Sequence, residues 1–181
     1  MSDQKVDLET ILNRGREQLQ AGNFRASAAL AQQCLESQPN NTDALYMLAV
    51  SQRYLQDIPS ALQTLNLLQI QDPTLGRAWQ EVGHCQIALK QTDEALQSFQ
   101  QAVQRNGSLL ASWQAIVHLT STIQQADWHQ RAADQSGKLS GLPPALLSVR
   151  NMISEGKWFK AEQLCRHFLQ QQPQHQEAMR W

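Results

Sequence analysis

The residues that could do chemistry are scattered along this sequence. His84 and His118 hold equivalent places in two similar segments, 34 residues apart. Equivalent places on neighbouring helices lie about 10 Å apart, which is a helix diameter, whereas zinc binds its ligand atoms at about 2 Å. We therefore expect no metal site, and we interpret both imidazoles as polar lining residues. Spacing supports no Ser/His/Asp arrangement for the other three histidines, His129, His167 and His175.

Sequence motifs for catalysis are missing as well. There is no phosphate-binding GxxxxGKS/T or GxGxxG loop, and there is no HExxH, CxxC or GxSxG. These motifs supply phosphate cradles, zinc ligands, redox thiols and activated serines. The sequence therefore predicts a chain that is not an enzyme in its own right and that uses no cofactor.

The cysteines indicate the redox compartment. Cys34, Cys85 and Cys165 are odd in number, far apart and on predicted buried faces of helices. This usage predicts a reduced, cytoplasmic setting. A reactive thiol is the alternative, which burial disfavours because thiols in apolar surroundings are usually inert.

Charge and hydropathy narrow the range of partners. The formal net charge is −1, so no basic field exists that would hold nucleic acid or an acidic membrane surface. No apolar run approaches the ~20 residues of a membrane span. The first ten residues, MSDQKVDLET, lack the apolar region of a secretory signal. We expect neither nucleic acid nor membrane as a partner.

A 34-residue repeat positions these side chains. The stretch TDALYMLAVSQRYLQDIPSALQTLNLLQIQDP (42–73) returns as GRAWQEVGHCQIALKQTDEALQSFQQAVQRN (76–106). Small residues recur where two helices would cross closely, at Ala49 and Gly83 and at Ala61 and Ala95. Larger apolar residues follow the i, i+3, i+4, i+7 stripe of amphipathic helices. Each repeat is therefore predicted to be a helix–turn–helix unit, ended by a proline such as Pro73.

This pattern resembles the tetratricopeptide family, whose units have this length. The resemblance is strong in the second, third and fifth repeats. It implies an all-α, right-handed solenoid of stacked antiparallel helix pairs, with about five repeats and the start of a sixth. We expect one solenoid domain over residues 1–181, with repeats at 8–41, 42–75, 76–109, 110–141 and 142–175 and a sixth beginning at 176–181.

One segment departs from the regular repeat. The second helix of the fourth repeat, in ADWHQRAADQSGKLSG, has few large apolar residues, and we expect it to be short or distorted and to be followed by a loop over 141–144.

Among the tryptophans, Trp79 and Trp113 occupy the large apolar position and are predicted to be core. Trp128 and Trp158 lie at turns into second helices and are predicted to be packing residues as well.

In the tetratricopeptide family the first helices form a concave wall that holds peptides or partner proteins. The resemblance therefore implies a protein-interaction scaffold, although each wall position is also consistent with plain solvated surface. Arg16, His84, His118 and Arg150 would line one row, which favours an acidic ligand. The apolar wall positions include Leu12, Val50 and Leu146. The predicted groove residues are Arg16, Tyr46, Arg53, Tyr54, Arg77, Gln80, His84, Gln114, His118 and Arg150.

One subclass of the family grips chaperone C-termini with a lysine–asparagine clamp. At the matching positions this chain has Leu12, Arg16, Met47, Gln80 and His84. The clamp is largely absent, so this activity is not expected.

Residues 142–181 also resemble the repeat region that precedes a catalytic domain in bacterial sulfotransferase-family proteins. The alternative function is therefore a regulatory or substrate-presenting arm of a larger enzyme. Because a repeat cannot bury its face alone, the start of a sixth repeat indicates either a piece of a longer protein or an exposed end that pairs with another molecule. Self-association through the exposed C-terminal repeat is therefore a further prediction.

Overall fold

The computed structural model describes residues 2–121 and 126–180, with side chains from Leu8 onward. These residues form ten α-helices, a short 3₁₀ helix and no strand. The helices are α1 (Ser2–Gln20), α2 (Phe24–Ser37), α3 (Thr42–Tyr54), α4 (Ile58–Gln71), α5 (Gly76–Ala88), α6 (Thr92–Arg105), α7 (Leu110–Thr120), α8 (Ala126–Ser140), α9 (Pro144–Ser154) and α10 (Trp158–Gln171), and the 3₁₀ helix is Ala178–Arg180.

The predicted all-α fold of successive helix pairs is confirmed. Odd-numbered helices are the first helices of the repeats and even-numbered ones the second, and neighbours such as α1 and α2 or α3 and α4 pack side by side. The expectation of a short or distorted α8 is wrong, because α8 has 15 residues and the other second helices have 14. Few large apolar residues did not prevent a helix, since Ala132 and Leu139 bury its inner face.

The four described turns inside the helix pairs share one geometry. A residue with positive φ follows the first helix at Gly22, Gln56, Lys90 and Gly156. The next backbone N–H then donates to the carbonyl five residues earlier, as from Asn23 to Gln18 at 2.8 Å. This is the Schellman motif, which satisfies carbonyls that the helix end would leave unpaired. The corresponding position of the fourth repeat, residue 124, lies outside the described residues.

The chain divides into two compact parts. The N-terminal part comprises residues 1–74 and 81–95, and the C-terminal part comprises residues 75–80 and 96–181. One core cluster of the N-terminal part joins α1, α2 and α3 through Leu12, Ala31, Cys34, Ala44, Met47 and Leu48. A core cluster of the C-terminal part joins α9, α10 and the 3₁₀ helix through Leu146, Val149, Ala161, Cys165, Phe168 and Ala178.

The tryptophan predictions have mixed outcomes. Trp113 is buried as predicted. Trp79 is only half-buried, with the Arg105 guanidinium 4.6 Å from its ring centroid. Trp128 is also exposed to solvent in part. Trp158 is 65% exposed, so the prediction that it packs is wrong.

Candidate partner-binding surface

The end of α3 presents an aromatic side chain that is exposed and yet fixed. Tyr54 is 50% exposed. Its ring stacks on Phe24 with centroids 4.2 Å apart and planes inclined by only 1°. The Arg53 guanidinium lies 4.3 Å from the Tyr54 centroid, within cation–π range. Two neighbours therefore hold the Tyr54 ring in one orientation.

Arg53 is itself held by an ion pair. Its Nε donates to Glu81 Oε2 at 2.7 Å, and the side chains are only 18% and 5% exposed. Glu81 lies on α5 at a position between the buried Ala78 and Cys85. The pair joins the end of α3 to α5. Removing either side chain would leave the other charge buried without compensation, which would destabilise the fold.

His84 lies one turn after Glu81 on α5. Burial lowers the pKa of His84, and the nearby Arg53 charge lowers it too, while Glu81 acts in the opposite direction. At neutral pH the imidazole is therefore uncharged, and it adds no positive charge to the predicted acidic-ligand row. On the same helix, burial raises the pKa of Cys85 to about 11, so its thiol is not a nucleophile at neutral pH.

Arg16 and Tyr46 complete the predicted site residues of the N-terminal part. Arg16 donates to Asp43 at 2.7 Å and to Asn13 at 2.6 Å, so its guanidinium is engaged within the chain. Tyr46 is half-buried on α3, two turns before Arg53. We call Arg16, Tyr46, Arg53, Tyr54 and His84 the first-helix surface, since all five lie on α1, α3 or α5.

The other predicted site residues lie in the C-terminal part. Arg77 pairs with Glu155, with Nη2 2.6 Å from Oε2. Gln80 accepts a hydrogen bond from Ser112 at 2.9 Å. Arg150 is half-buried, and the exposed side chains are Gln114 and His118.

Some predicted wall positions are not on the surface. Leu12, Val50 and Leu146 are buried, because the apolar stripe they belong to faces the core. Sequence reasoning missed Phe24 and Glu81 as functional neighbours. Glu81 could have been identified from the sequence, because it is an acidic residue among the apolar positions of α5. Nothing in the sequence indicated the contact between Phe24 and Tyr54, which are 30 positions apart.

Among the described side chains, those of residues 8–121 and 126–180, no group of three His, Cys, Asp or Glu is placed to hold a metal ion. In that same portion no helix has the length and apolarity that crossing a membrane requires.

Models of one family match the sequence. Those described as Tetratricopeptide repeat match residues 12–75 and 76–108, which together exceed half of the chain. The chain belongs to the tetratricopeptide repeat family. No curated protein matches this tetratricopeptide repeat chain significantly.

Solved tetratricopeptide structures share the fold. TTC0263, a thermophilic TPR protein of Thermus thermophilus, is 18% identical with a TM-score of 0.66, and 95% of each chain is covered. The first TPR of Spaghetti (RPAP3), bound to the HSP90 peptide SRMEEVD, is 13% identical with a TM-score of 0.59 over 65% of this chain and 94% of that one. A Thermobaculum terrenum O-GlcNAc transferase mutant is 17% identical with a TM-score of 0.63, over 70% of this chain and 26% of that one.

The predicted sulfotransferase link gains no support. The family models end at residue 108, before the segment 142–181 on which that resemblance was based.

Proposed function

We propose that this tetratricopeptide repeat chain is a protein-interaction scaffold whose first-helix surface binds a peptide or a partner segment. The observation that carries the proposal is Tyr54, which is half exposed while Phe24 and Arg53 fix its ring. A fixed aromatic ring offers contact area without losing rotamer entropy on binding. Such residues are typical hot spots of protein interfaces.

The family and its solved relatives support this function. The Spaghetti (RPAP3) repeat domain of similar fold is bound to a peptide. In the N-terminal part the first helices carry the five polar and aromatic side chains of the first-helix surface, all of them half-buried or exposed.

The acidic character of the partner stays a prediction. Arg16 and Arg53 already pair with Asp43 and Glu81. At either position the carboxylate of an acidic ligand would displace one that is already paired with the arginine. The free energy of binding would therefore gain little from the exchange. An apolar or aromatic side chain against Tyr54, with hydrogen bonds to the surrounding polar groups, suits the N-terminal part better.

The test is a peptide selection followed by substitution at Tyr54. Peptides are selected by display against the intact chain, and their dissociation constants are measured by fluorescence anisotropy. Tyr54→Ala should weaken the selected peptides by about tenfold, as expected for a hot spot worth more than about 1 kcal/mol. Leu67→Ala on α4 is the matched control, because Leu67 is equally exposed and lies outside the first-helix surface. Equal binding by wild type and Tyr54→Ala would refute the proposal.

The HSP90 peptide SRMEEVD is expected not to bind this chain. Two of the five clamp-matching positions hold Leu12 and Met47, whose side chains are buried, and Arg16 is engaged by Asp43. Titration of labelled SRMEEVD should therefore show a dissociation constant no tighter than about 1 mM. Micromolar binding would mean that the ion pairs of α1 and α3 open for a carboxylate.

A regulatory or substrate-presenting arm of a larger enzyme stays the alternative prediction. Reading the gene beyond Trp181 tests it directly: a catalytic domain in frame would favour it, and a stop codon would remove it. Self-association of the C-terminal repeat also stays a prediction, and sedimentation of the purified chain over a range of concentrations tests it.

A further inference from the structure

Asn106 and Gly107 form the only Asn-Gly pair in the sequence, and they directly follow α6. An asparagine before glycine is prone to deamidation, because glycine has no side chain that would hinder attack by its backbone nitrogen on the asparagine amide. The pair therefore brings a reactive group to the turn between α6 and α7.

Comparison with the other repeats shows that the turn does not need this pair. After α2, α4 and α10, as after α6, the next backbone N–H donates to the carbonyl four residues earlier. The residue that follows in those three turns is a proline, which has no N–H that could attack a side chain. These prolines are Pro39, Pro73 and Pro173. Glycine is not required for space either, because φ of Gly107 lies outside the left-handed region and an added Cβ would meet only the Val103 carbonyl oxygen, at 3.8 Å.

The two ends of the Asn106 amide have different roles. Its Oδ1 accepts a hydrogen bond from the backbone N–H of Ser108 at 2.9 Å, which holds the turn. Asp72 does the same after α4, where it accepts from the backbone N–H of Thr74 at 3.0 Å. The Nδ2 of Asn106 instead donates to Asn151 Oδ1 at 3.1 Å and so joins the third repeat to the fifth. An aspartate could therefore replace Asn106 in the turn, but it could not donate to Asn151.

The closed contact between these two repeats protects the amide. Asn106 is only 2% exposed, and the start of α5 lies against it, since a Cβ on Gly76 would be 3.0 Å from Asn106 Cβ. To react, the amide must give up its hydrogen bond to Asn151, release ammonia and admit water. The rate of deamidation should therefore follow the population of molecules in which the contact is open, as for other reactions of locally opened states.

The reaction needs no reagent other than water. The Gly107 nitrogen forms a bond to Cγ of Asn106, the Cγ–Nδ2 bond breaks, and ammonia leaves with the proton of the Gly107 N–H. Water then opens the resulting cyclic imide at either carbonyl, which gives aspartate or isoaspartate. The carboxylate of the product has no donor for Asn151 Oδ1, and it would carry a charge into a site that is almost fully buried.

We propose that Asn106 is a deamidation site controlled by the contact between the third and fifth repeats. The closed contact protects the amide, and deamidation of an open molecule prevents the contact from closing again. The modification is thus a one-way switch of the C-terminal part. It involves no residue of the first-helix surface, so it does not depend on the proposed peptide binding.

The first experiment measures the rate of deamidation in the full chain. The folded protein is incubated in heavy-oxygen water, and peptide mapping by mass spectrometry detects labelled aspartate and isoaspartate at Asn106. Asn151→Ala removes the acceptor and should accelerate the reaction by about fivefold, the change in open population that one typical hydrogen bond produces. In urea the wild type and this variant should react at one common rate, faster than either folded protein. Asn40, which is exposed but followed by Asn41, is the internal control and should react more slowly than Asn106 in urea.

Two variants of Gly107 test the chemistry of the step. Gly107→Pro removes the attacking N–H, as in three of the other repeats, and should abolish deamidation at Asn106. Gly107→Ala keeps the N–H and adds a methyl group that hinders the attack, so it should slow the reaction in urea. An unchanged rate in both variants would show that the Gly107 nitrogen is not the nucleophile.

The second experiment tests the effect of the product by hydrogen exchange. Asn106→Asp should lower the amide protection of α9, whereas Asn40→Asp, which adds the same charge at an exposed turn, should not. Unchanged protection of α9 in Asn106→Asp would overturn the proposal, because Asn151 would then have turned its amide to donate to the carboxylate. Equal deamidation rates for the folded wild type and folded Asn151→Ala would overturn it as well, as would equal rates for the folded and the urea-unfolded wild type.

Discussion

The positive-φ position of the hairpin turns favours glycine over every other residue type. The four described hairpin turns place Gly22, Gln56, Lys90 and Gly156 at φ of 77°, 64°, 61° and 69°. An L side chain in this left-handed region costs roughly 1–2 kcal/mol, and glycine has no such cost although it loses more chain entropy on folding. Gln56 and Lys90 are therefore residues at which the native turn is strained.

Replacing Gln56 or Lys90 by glycine should stabilise the fold. Each of Gln56→Gly and Lys90→Gly is expected to raise the free energy of unfolding by about 0.5 kcal/mol, because relief of the left-handed strain exceeds the added chain entropy. Gly22→Ala should lower it by about 1 kcal/mol, although a Cβ there would meet nothing within 4 Å. Urea denaturation of the three variants measures these changes. Destabilisation by both glycine variants would mean that contacts of the two side chains outweigh the strain.

The imidazole of His84 makes stability depend on pH. Burial lowers its folded-state pKa below the ordinary value of 6.5, so the unfolded chain binds the proton more readily. Stability is then full above pH 6.5 and falls as the pH drops towards the folded pKa. The charged groups that act on the ring are Glu81, which raises the pKa of His84, and Arg53, which lowers it. His84→Gln should remove part of the loss of stability between pH 7 and pH 5, measured by urea denaturation at each pH.

Glycines inside helices are expected to have opposite effects on substitution. At Gly76, the start of α5, an added Cβ would lie 2.8 Å from the Ala102 carbonyl oxygen and 3.0 Å from Asn106 Cβ, so a backbone shift is required. At Gly137, inside α8, an added Cβ would meet nothing within 4 Å. Gly76→Ala should therefore destabilise by about 1–3 kcal/mol.

Gly137→Ala should instead stabilise by about 1 kcal/mol, the difference in helix propensity between the two residues. Circular dichroism during thermal unfolding compares the two variants. Equal loss of stability in both would show that α8 needs flexibility at Gly137 and that propensity is not the deciding term.

At the scale of the helices, the sequence predicted what depends on local spacing. The 34-residue period and the apolar stripes gave the pairs α3–α4, α5–α6 and α9–α10 within a few residues. The prediction for α8 was wrong because it relied on large apolar residues, while Ala132 and Leu139 suffice to bury that helix. Most residues of α8 also tolerate a helix, and an isolated glycine weakens a helix without ending it.

At the scale of the whole molecule, side-chain partners between distant repeats could not be predicted. Arg77 and Glu155 are 78 positions apart, and they pair between the third and fifth repeats within the C-terminal part. Asn106 donates to Asn151 at 3.1 Å across the same two repeats. A repeat period predicts contacts between successive units, whereas these two contacts join units that are separated by the fourth repeat. The same limit applies to the site: the sequence indicated Arg53 and Arg77 as exposed cations, and the fold gives each a carboxylate.

Loss of the Glu155 carboxylate should loosen the third and fifth repeats together. The side chain of Glu155 is 5% exposed, and both Arg77 and Lys157 pair with it. Glu155→Gln leaves two cations without their carboxylate, and because both are about one-third exposed we expect a loss of about 2 kcal/mol rather than the full cost of a buried pair. Glu162→Gln, in the exposed pair with Arg166, is the matched control and should cost less than about 0.5 kcal/mol.

Hydrogen exchange followed by mass spectrometry distinguishes a coupled contact from a local one. In Glu155→Gln, amide protection should fall both in α9 and at the start of α5, because the ion pair joins those two segments. Protection of α1 to α4 should not change, since those helices belong to the N-terminal part. Loss of protection confined to α9 would mean that Asn106, Asn151 and apolar packing hold the two repeats together without the ion pair. In that case stability would depend on successive neighbours, as in a simple linear array of repeats.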